Sequence, residues 1–240
     1  MATREEMLKR VRQALGRPLG TPAVTPLPDF NFQGIMPPLA PTEYQAKFAA
    51  EWEKVAGVAH YVSTIDELEA LLRKIAADLE AQGVVLSRNP LLTELRIAER
   101  LRAAGISVVP WAGDAPVTGA PSLAEFHAAS FQAKIGITGV DYVLAETGGL
   151  VLSSQTEGAQ LASLAPPVHI ALYRQSQLVG SLEDVLAKLP VSNPSGRLSP
   201  GRSVVIVTGT SRTADIEQIL IRGVHGPGAA HAVLVEDSCR

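Results

Sequence analysis

Short runs of branched apolar residues recur between helix-length segments, and that alternation restricts the chain to one broad architecture. Gly83-Val84-Val85-Leu86-Ser87 reads as a strand, and Asn89-Pro90 opens a helix reaching Ala104 with Gly105 just past its end. Ile106 to Trp111 is the next strand, a helix follows over about Ser122 to Ala133, and Ile135-Gly136-Ile137-Thr138 is a strand again. Strands and helices in alternation predict an α/β fold of three layers, in which a mixed, mainly parallel sheet is covered on both faces by helices.

Upstream of this pattern, Leu8, Val11 and Leu15 recur at helical spacing among Arg4, Lys9, Arg10 and Arg12, which predicts a short amphipathic helix over Thr3 to Leu15. Seven prolines between Pro18 and Pro41 remove amide donors and fix φ too often for regular structure, so this stretch is an arm or linker. Thr42 with Gln45 predicts a helix through about Val55, Ala59 to Val62 a strand, and Thr64 with Glu67 a second helix ending at Gly83. The expected division is therefore an N-terminal helix, Pro-rich arm and second helix over 1–57, and an α/β domain over 58–240.

Beyond residue 138 the pattern changes. Tyr142-Val143-Leu144-Ala145-Glu146 and Leu150-Val151-Leu152-Ser153 are separated only by Thr147-Gly148-Gly149, a hairpin signature. Val168 to Tyr173 is a strand and Ser181 to Leu189 a short helix. The runs Val204–Val207 and Ala232–Val235 read as buried strands of the parallel sheet, and they frame a segment crowded with small and charged residues, Gly209 to Pro227. Polar groups held between buried strands are solvated, internally paired or used on a ligand.

Composition limits the partners and the chemistry. With 21 basic and 24 acidic residues in 240, the net charge of −3 gives no electrostatic reason to expect nucleic acid. The single cysteine, Cys239, excludes a disulfide framework, a zinc-type cysteine pair and an iron–sulfur cluster held by the chain's own thiolates. No metal site and no cofactor are expected from the chain's own motifs. No apolar run approaches the roughly 20 residues that span a bilayer, and no secretory signal opens the sequence, so a cytoplasmic location is expected. G-x-G-x-x-G, Walker A, H-E-x-x-H and G-x-S-x-G signatures are absent.

Three segments carry candidate chemistry. Glu146 with Thr147, Gly148 and Gly149 offers a carboxylate beside flexible amides, suited to a phosphate, a carboxylate or a thioester carbonyl; the alternative is a hairpin whose glycines take positive φ. Ser211 and Arg212 begin a stretch in which Asp215 and Glu217 share one face if extended, either as an ion-pair network or around a bound substrate. A carboxylate crowded in this way has the raised pKa that general acid–base work needs. His225, on the turn Gly223-Val224-His225-Gly226-Pro227, carries an imidazole on a tight turn and is a candidate proton carrier. Arg88, in Ser87-Arg88-Asn89 at the end of a strand, is a candidate clamp for a carboxylate or phosphate, or a solvated arginine beside the helix cap Asn89. Within one pocket built from residues 87–89, 146–149 and 211–227, Arg88 or Arg212 would hold the ligand and Glu146, Asp215 or His225 would exchange protons.

The run from Gly136 to Leu152, then Pro166-Pro167-Val168-His169, then Ser211 to Glu217 and Gly223 to Pro227, resembles the lactate-utilisation protein C family, also called the LUD domain family. The similarity spans roughly residues 60 to 236. It implies a fold of the NagB/ribose-5-phosphate isomerase/CoA-transferase group and a part in oxidising L-lactate to pyruvate with iron–sulfur partner proteins, which would hold the clusters. Position 149 is glycine where the family commonly has threonine, a change that a turn tolerates. Two other classes stay open: a non-catalytic scaffold or metabolite-sensing subunit, and a stand-alone CoA-transferase- or isomerase-like enzyme with Glu146 as nucleophile or base.

Overall fold

The computed structural model describes residues 3–16, 39–113, 121–188, 203–214 and 220–239. Two compact units emerge, Met1–Pro38 and Leu39–Arg240. The first contains helix α1 (Arg4–Ala14), closed by a capping box between Thr3 and Glu6, with Met7, Val11 and Leu15 exposed along one side.

The second unit begins with α2 (Tyr44–Lys54), β1 (Gly57–Val62), α3 (Ile65–Asp78) and β2 (Gly83–Leu86). Then come α4 (Pro90–Glu94), α5 (Ile97–Ala103), β3 (Ser107–Pro110), α6 (Leu123–Gln132) and β4 (Ile135–Thr138). A hairpin of β5 (Tyr142–Leu144) and β6 (Gly149–Ser153) leads to the short helices α7 (Ser154–Glu157) and α8 (Leu161–Leu164) and to β7 (Val168–Tyr173). The chain continues through β8 (Leu178–Val179), α9 (Leu182–Lys188), β9 (Val204–Val207), β10 (Arg212–Ala214), β11 (Leu220–Arg222) and β12 (Ala229–Val235).

Six strands form one sheet in the order β1-β12-β7-β4-β2-β3, and every neighbouring pair is parallel. One face is covered by α3, α4 and α5, whose Leu68, Leu72, Leu91, Leu95 and Leu101 pack on Val84, Ile135, Ile170 and Val233. The other face carries α2, α6, α8 and a second sheet, β8-β5-β6-β9. Strand β7 is buried at all six positions, as a central parallel strand must be. The α/β, three-layer architecture expected from the alternation is the observed one.

The differences have physical causes. Helix α2 belongs with the sheet, because Phe48 and Trp52 are fully buried against Tyr173 and Leu152; the compact unit therefore starts at Leu39 rather than at residue 58. The single helix expected over 89–104 is two, broken where Arg96 takes φ +53° and turns the chain so that Leu95 and Ile97 both reach the core. The helix begun by the Thr64–Glu67 capping box stops at Asp78, and Glu80 turns at φ +50° before β2. Val204–Val207 is not in the parallel sheet: it pairs antiparallel with β6 at the open edge of the second sheet, none of its residues is fully buried, and Val204 and Val207 pack against different parts of the core. The Pro-rich arm, at 17–38, and Asp215 and Glu217 lie outside the described residues.

Candidate functional site

Strand order places a crevice in the main sheet. From β2 the chain runs outward to β3, whereas from β4 it runs to the opposite side, toward β7 and then β12. Connections that leave adjacent parallel strands in opposite directions part at their carboxyl ends, and open α/β sheets bind ligands in that gap. Here the gap is edged by Ser87-Arg88-Asn89 after β2 and by Gly139-Val140-Asp141 after β4.

One side chain fills it. Glu157, the last residue of α7, is fully buried. The Ser87 hydroxyl donates to its Oε2 at 2.5 Å, Asn89 Nδ2 donates to its Oε1, and the Gly139 amide donates to the same carboxyl. Gly139 permits this convergence, since an added Cβ there would lie 2.2 Å from the Asn89 side chain. Asn89 is also the cap of α4, its Oδ1 accepting from the Leu91 amide, so its amide nitrogen points back toward Glu157 with little freedom. Asp141 fixes the other end of the turn by accepting from the Ser153 amide at 2.6 Å and from the Thr156 hydroxyl.

Burial pushes the Glu157 carboxyl up to about 7; the donors Ser87, Asn89 and Gly139 pull against this, and the charge on Asp141 adds to it. A buried carboxyl that gains and loses its proton near neutral pH has the property general acid–base chemistry demands. Two neighbours complete the surroundings. The Arg88 amide donates to Glu157 O at 3.2 Å, and its guanidinium Nη2 donates to Gln155 O at 2.8 Å. Trp111, at the end of β3, lies against Gly158, whose φ of +74° and missing Cβ allow the indole to approach.

Behind the crevice, His169 on β7 is fully buried, with Nε2 2.8 Å from Thr138 Oγ1, and burial holds its pKa down at about 4. It is a neutral group of the core. His60 and His231 bond across β1 and β12 at 2.9 Å, and burial again lowers both.

The residues expected to form one pocket fall into three places. Arg88 is at the crevice. Glu146 uses its carboxylate to accept from the Leu182 amide at 2.8 Å, at the start of α9, while Thr147 is exposed beside it. Gly148 turns at φ +66° against α2, where an added Cβ would lie 2.5 Å from Trp52 N, and Gly149 pairs with Leu144 in the hairpin. Ser211, Arg212 and His225 lie at the other end of the main sheet, by the starts of its strands. There Thr210 N donates to Val55 O just before β1, Ser211 N to Pro227 O, and Gly228 N to Pro167 O just before β7. Arg212 faces Arg222 across the small β10–β11 hairpin, and His225 is exposed. The 87–89 loop and the described residues 211–214 and 220–227 thus sit at opposite ends of the parallel strands.

Glu157 is outside the residues the sequence motifs point to, though the sequence carries a signal for it. Between Tyr142 and Tyr173 the only charged residues are Glu146 and Glu157, and a lone carboxylate followed by glycine in so apolar a stretch calls for an explanation.

Comparison with known proteins agrees with this architecture. The LUD domain model matches residues 45–235. An uncharacterized protein, YkgG, of Escherichia coli K12 is 33% identical over 99% of this chain and 100% of its own length. Proteins named lactate utilization protein C, from Halalkalibacterium halodurans and Geobacillus kaustophilus, are 32% and 31% identical over 72% and 77% of this chain and 71% and 77% of their own. The crystal structure of a DUF162 family protein from Deinococcus radiodurans superposes with a TM-score of 0.56 over 82% of this chain and 99% of that one, at 21% identity, a likeness of fold. With α2 included in the matched span and the similarity running through crevice and loops alike, the chain belongs to the LUD domain family, together with the lactate utilization C proteins.

Proposed function

We propose that this protein is a component of a lactate-utilisation system that oxidises L-lactate to pyruvate, and that its part in the chemistry centres on the crevice at the ends of β2 and β4. The pathway assignment is supported by the names of the relatives; the site assignment is carried by Glu157, a buried carboxyl held near neutral pH at the switch point of the sheet. Oxidation of a 2-hydroxy acid to a 2-oxo acid releases two electrons and two protons. A carboxylate poised near pH 7 takes up the hydroxyl proton. Breaking the C2–H bond releases the second proton to solvent and two electrons, which pass one at a time to the clusters of iron–sulfur partner proteins, since one cysteine cannot ligate a cluster in this chain.

Glu146 as nucleophile of a stand-alone transferase is the weaker reading, since its carboxylate lies at the start of α9, away from the crevice at the ends of β2 and β4. The test is lactate-dependent reduction of an artificial acceptor by the reconstituted system. Omission of this chain should abolish the reaction and Glu157→Gln should slow it at least tenfold, the scale on which a single acid–base group contributes. Undiminished turnover without the chain refutes the proposal.

A further inference from the structure

We infer that the crevice recognises the carboxylate of a small organic acid through two donors beside Glu157: the indole N–H of Trp111 and the guanidinium of Arg88. This deepens the reading above and rests on it for the identity of the acid. Trp111 is held firmly. Its backbone N donates to Leu86 O at 2.8 Å, and its ring packs edge-on against Phe126 with centroids 5.1 Å apart. The indole is pressed on the backbone next to Glu157, where an added Cβ on Gly158 would lie 2.1 Å from Nε1. Although only 8% of the residue is exposed, Nε1 has no acceptor among the described residues. A buried N–H without a partner is uncommon, and an indole nitrogen only donates, so the group that suits it is an oxygen acceptor.

Arg88 supplies the charge. Its guanidinium is exposed and steadied by Gln155 O, and no carboxylate lies within ion-pairing distance among the described residues. Trp111 and Arg88 flank the turn 155–158 that carries Glu157. A monocarboxylate places its oxygens on these donors and its neighbouring hydroxyl or carbonyl toward Glu157. A dianionic phosphate would bring two negative charges against a carboxyl that already resists ionisation, so the arrangement selects the organic acid.

The test uses the full chain, with Trp111→Phe and Arg88→Gln as variants. L-lactate, pyruvate, inorganic phosphate and 1,2-propanediol, which lacks the carboxylate, are titrated by calorimetry and by tryptophan fluorescence. Trp111 and the core residue Trp52 are the only two tryptophans, so a ligand-dependent change lost in Trp111→Phe locates the site. Both acids should bind, phosphate and propanediol should not, and each substitution should weaken acid binding by at least about tenfold, the loss of one hydrogen bond to a charged group. Arg88 is at the surface, so its variant folds even if the Trp111 variant does not. Equal affinity in wild type and Arg88→Gln, phosphate binding as tightly as lactate, or no binding of either acid would each overturn the inference. The two ideas separate cleanly. Lactate oxidation that needs the chain although the chain binds neither acid defeats this inference alone, whereas acid binding through Trp111 and Arg88 with oxidation independent of the chain defeats the pathway reading alone.

Discussion

Replacing Glu157 by glutamine tests the central electrostatic statement without touching shape. Glutamine keeps an oxygen for Asn89 and a polar partner for Ser87, but it does not titrate. In the wild type burial raises the carboxyl from 4.5 to about 7, so the folded state holds a proton that the unfolded chain has already released over that interval. Stability must therefore fall as pH rises from about 4.5 to about 7 and level off above, the sign opposite to that of a salt-bridged carboxylate. Between pH 5 and pH 8 the loss attributable to this group is about 2–3 kcal/mol, from a shift of about 2.5 units at 1.36 kcal/mol each. All other titrating groups are common to both proteins, so the difference between their curves isolates residue 157. Urea unfolding at pH 5, 6, 7 and 8 measures it, with Glu157→Gln expected to gain on the wild type by that amount across the range. Parallel curves would mean that Glu157 is ionised throughout, and both the raised pKa and the proton-exchange role would fall with it.

Other consequences are as specific. His169 and His231 are held neutral by burial, at about 4, so stability should also fall as pH drops from about 6.5 through 4; His169→Gln should flatten that limb by about 3 kcal/mol in denaturant midpoints compared at pH 4 and 7. Gly136→Ala would put a Cβ 1.7 Å from the Ala162 carbonyl oxygen, backbone against backbone, and should leave little folded protein by circular dichroism, while Gly83→Ala, whose nearest neighbour is 3.7 Å away, should cost less than about 1 kcal/mol. Glu146→Ala should cost about 1 kcal/mol in unfolding measurements through loss of the acceptor for the Leu182 amide, with Glu146→Gln close to wild type, and neither should alter acid binding at the crevice.

The architecture was legible where periodicity and caps act locally. The parallel strands β2, β3, β4 and β7, the 142–153 hairpin and the Thr64–Glu67 cap all follow from patterns within a few residues. What could not be read is what depends on pairing across the sheet. Val204–Val207 looks like a parallel core strand from its composition, but its partner, β6, is set by tertiary packing. The site suffered for the same reason. Polar residues gather in one stretch of sequence, 209–227, but strand direction puts its described residues 209–214 and 220–227 at the end of the sheet away from Ser87 and Asn89. The crevice is instead assembled from the ends of β2, β3 and β4 and a four-residue helix, pieces separated by as many as 70 positions, as the Ser87–Glu157 bond shows. Of the expected site residues Arg88 alone lies at the crevice, and its place at a strand end before a helix is a local signal.

Strand β1 sits at the edge of the main sheet, and its one neighbour there is β12, the last strand of the chain; His60 and His231 meet across 171 positions of sequence. The strand synthesised first is thus the one that must wait longest for its mate. On the ribosome Gly57–Val62 stays unzipped until Ala229–Val235 has emerged, so the margin of the sheet closes only after the strands between them have been made.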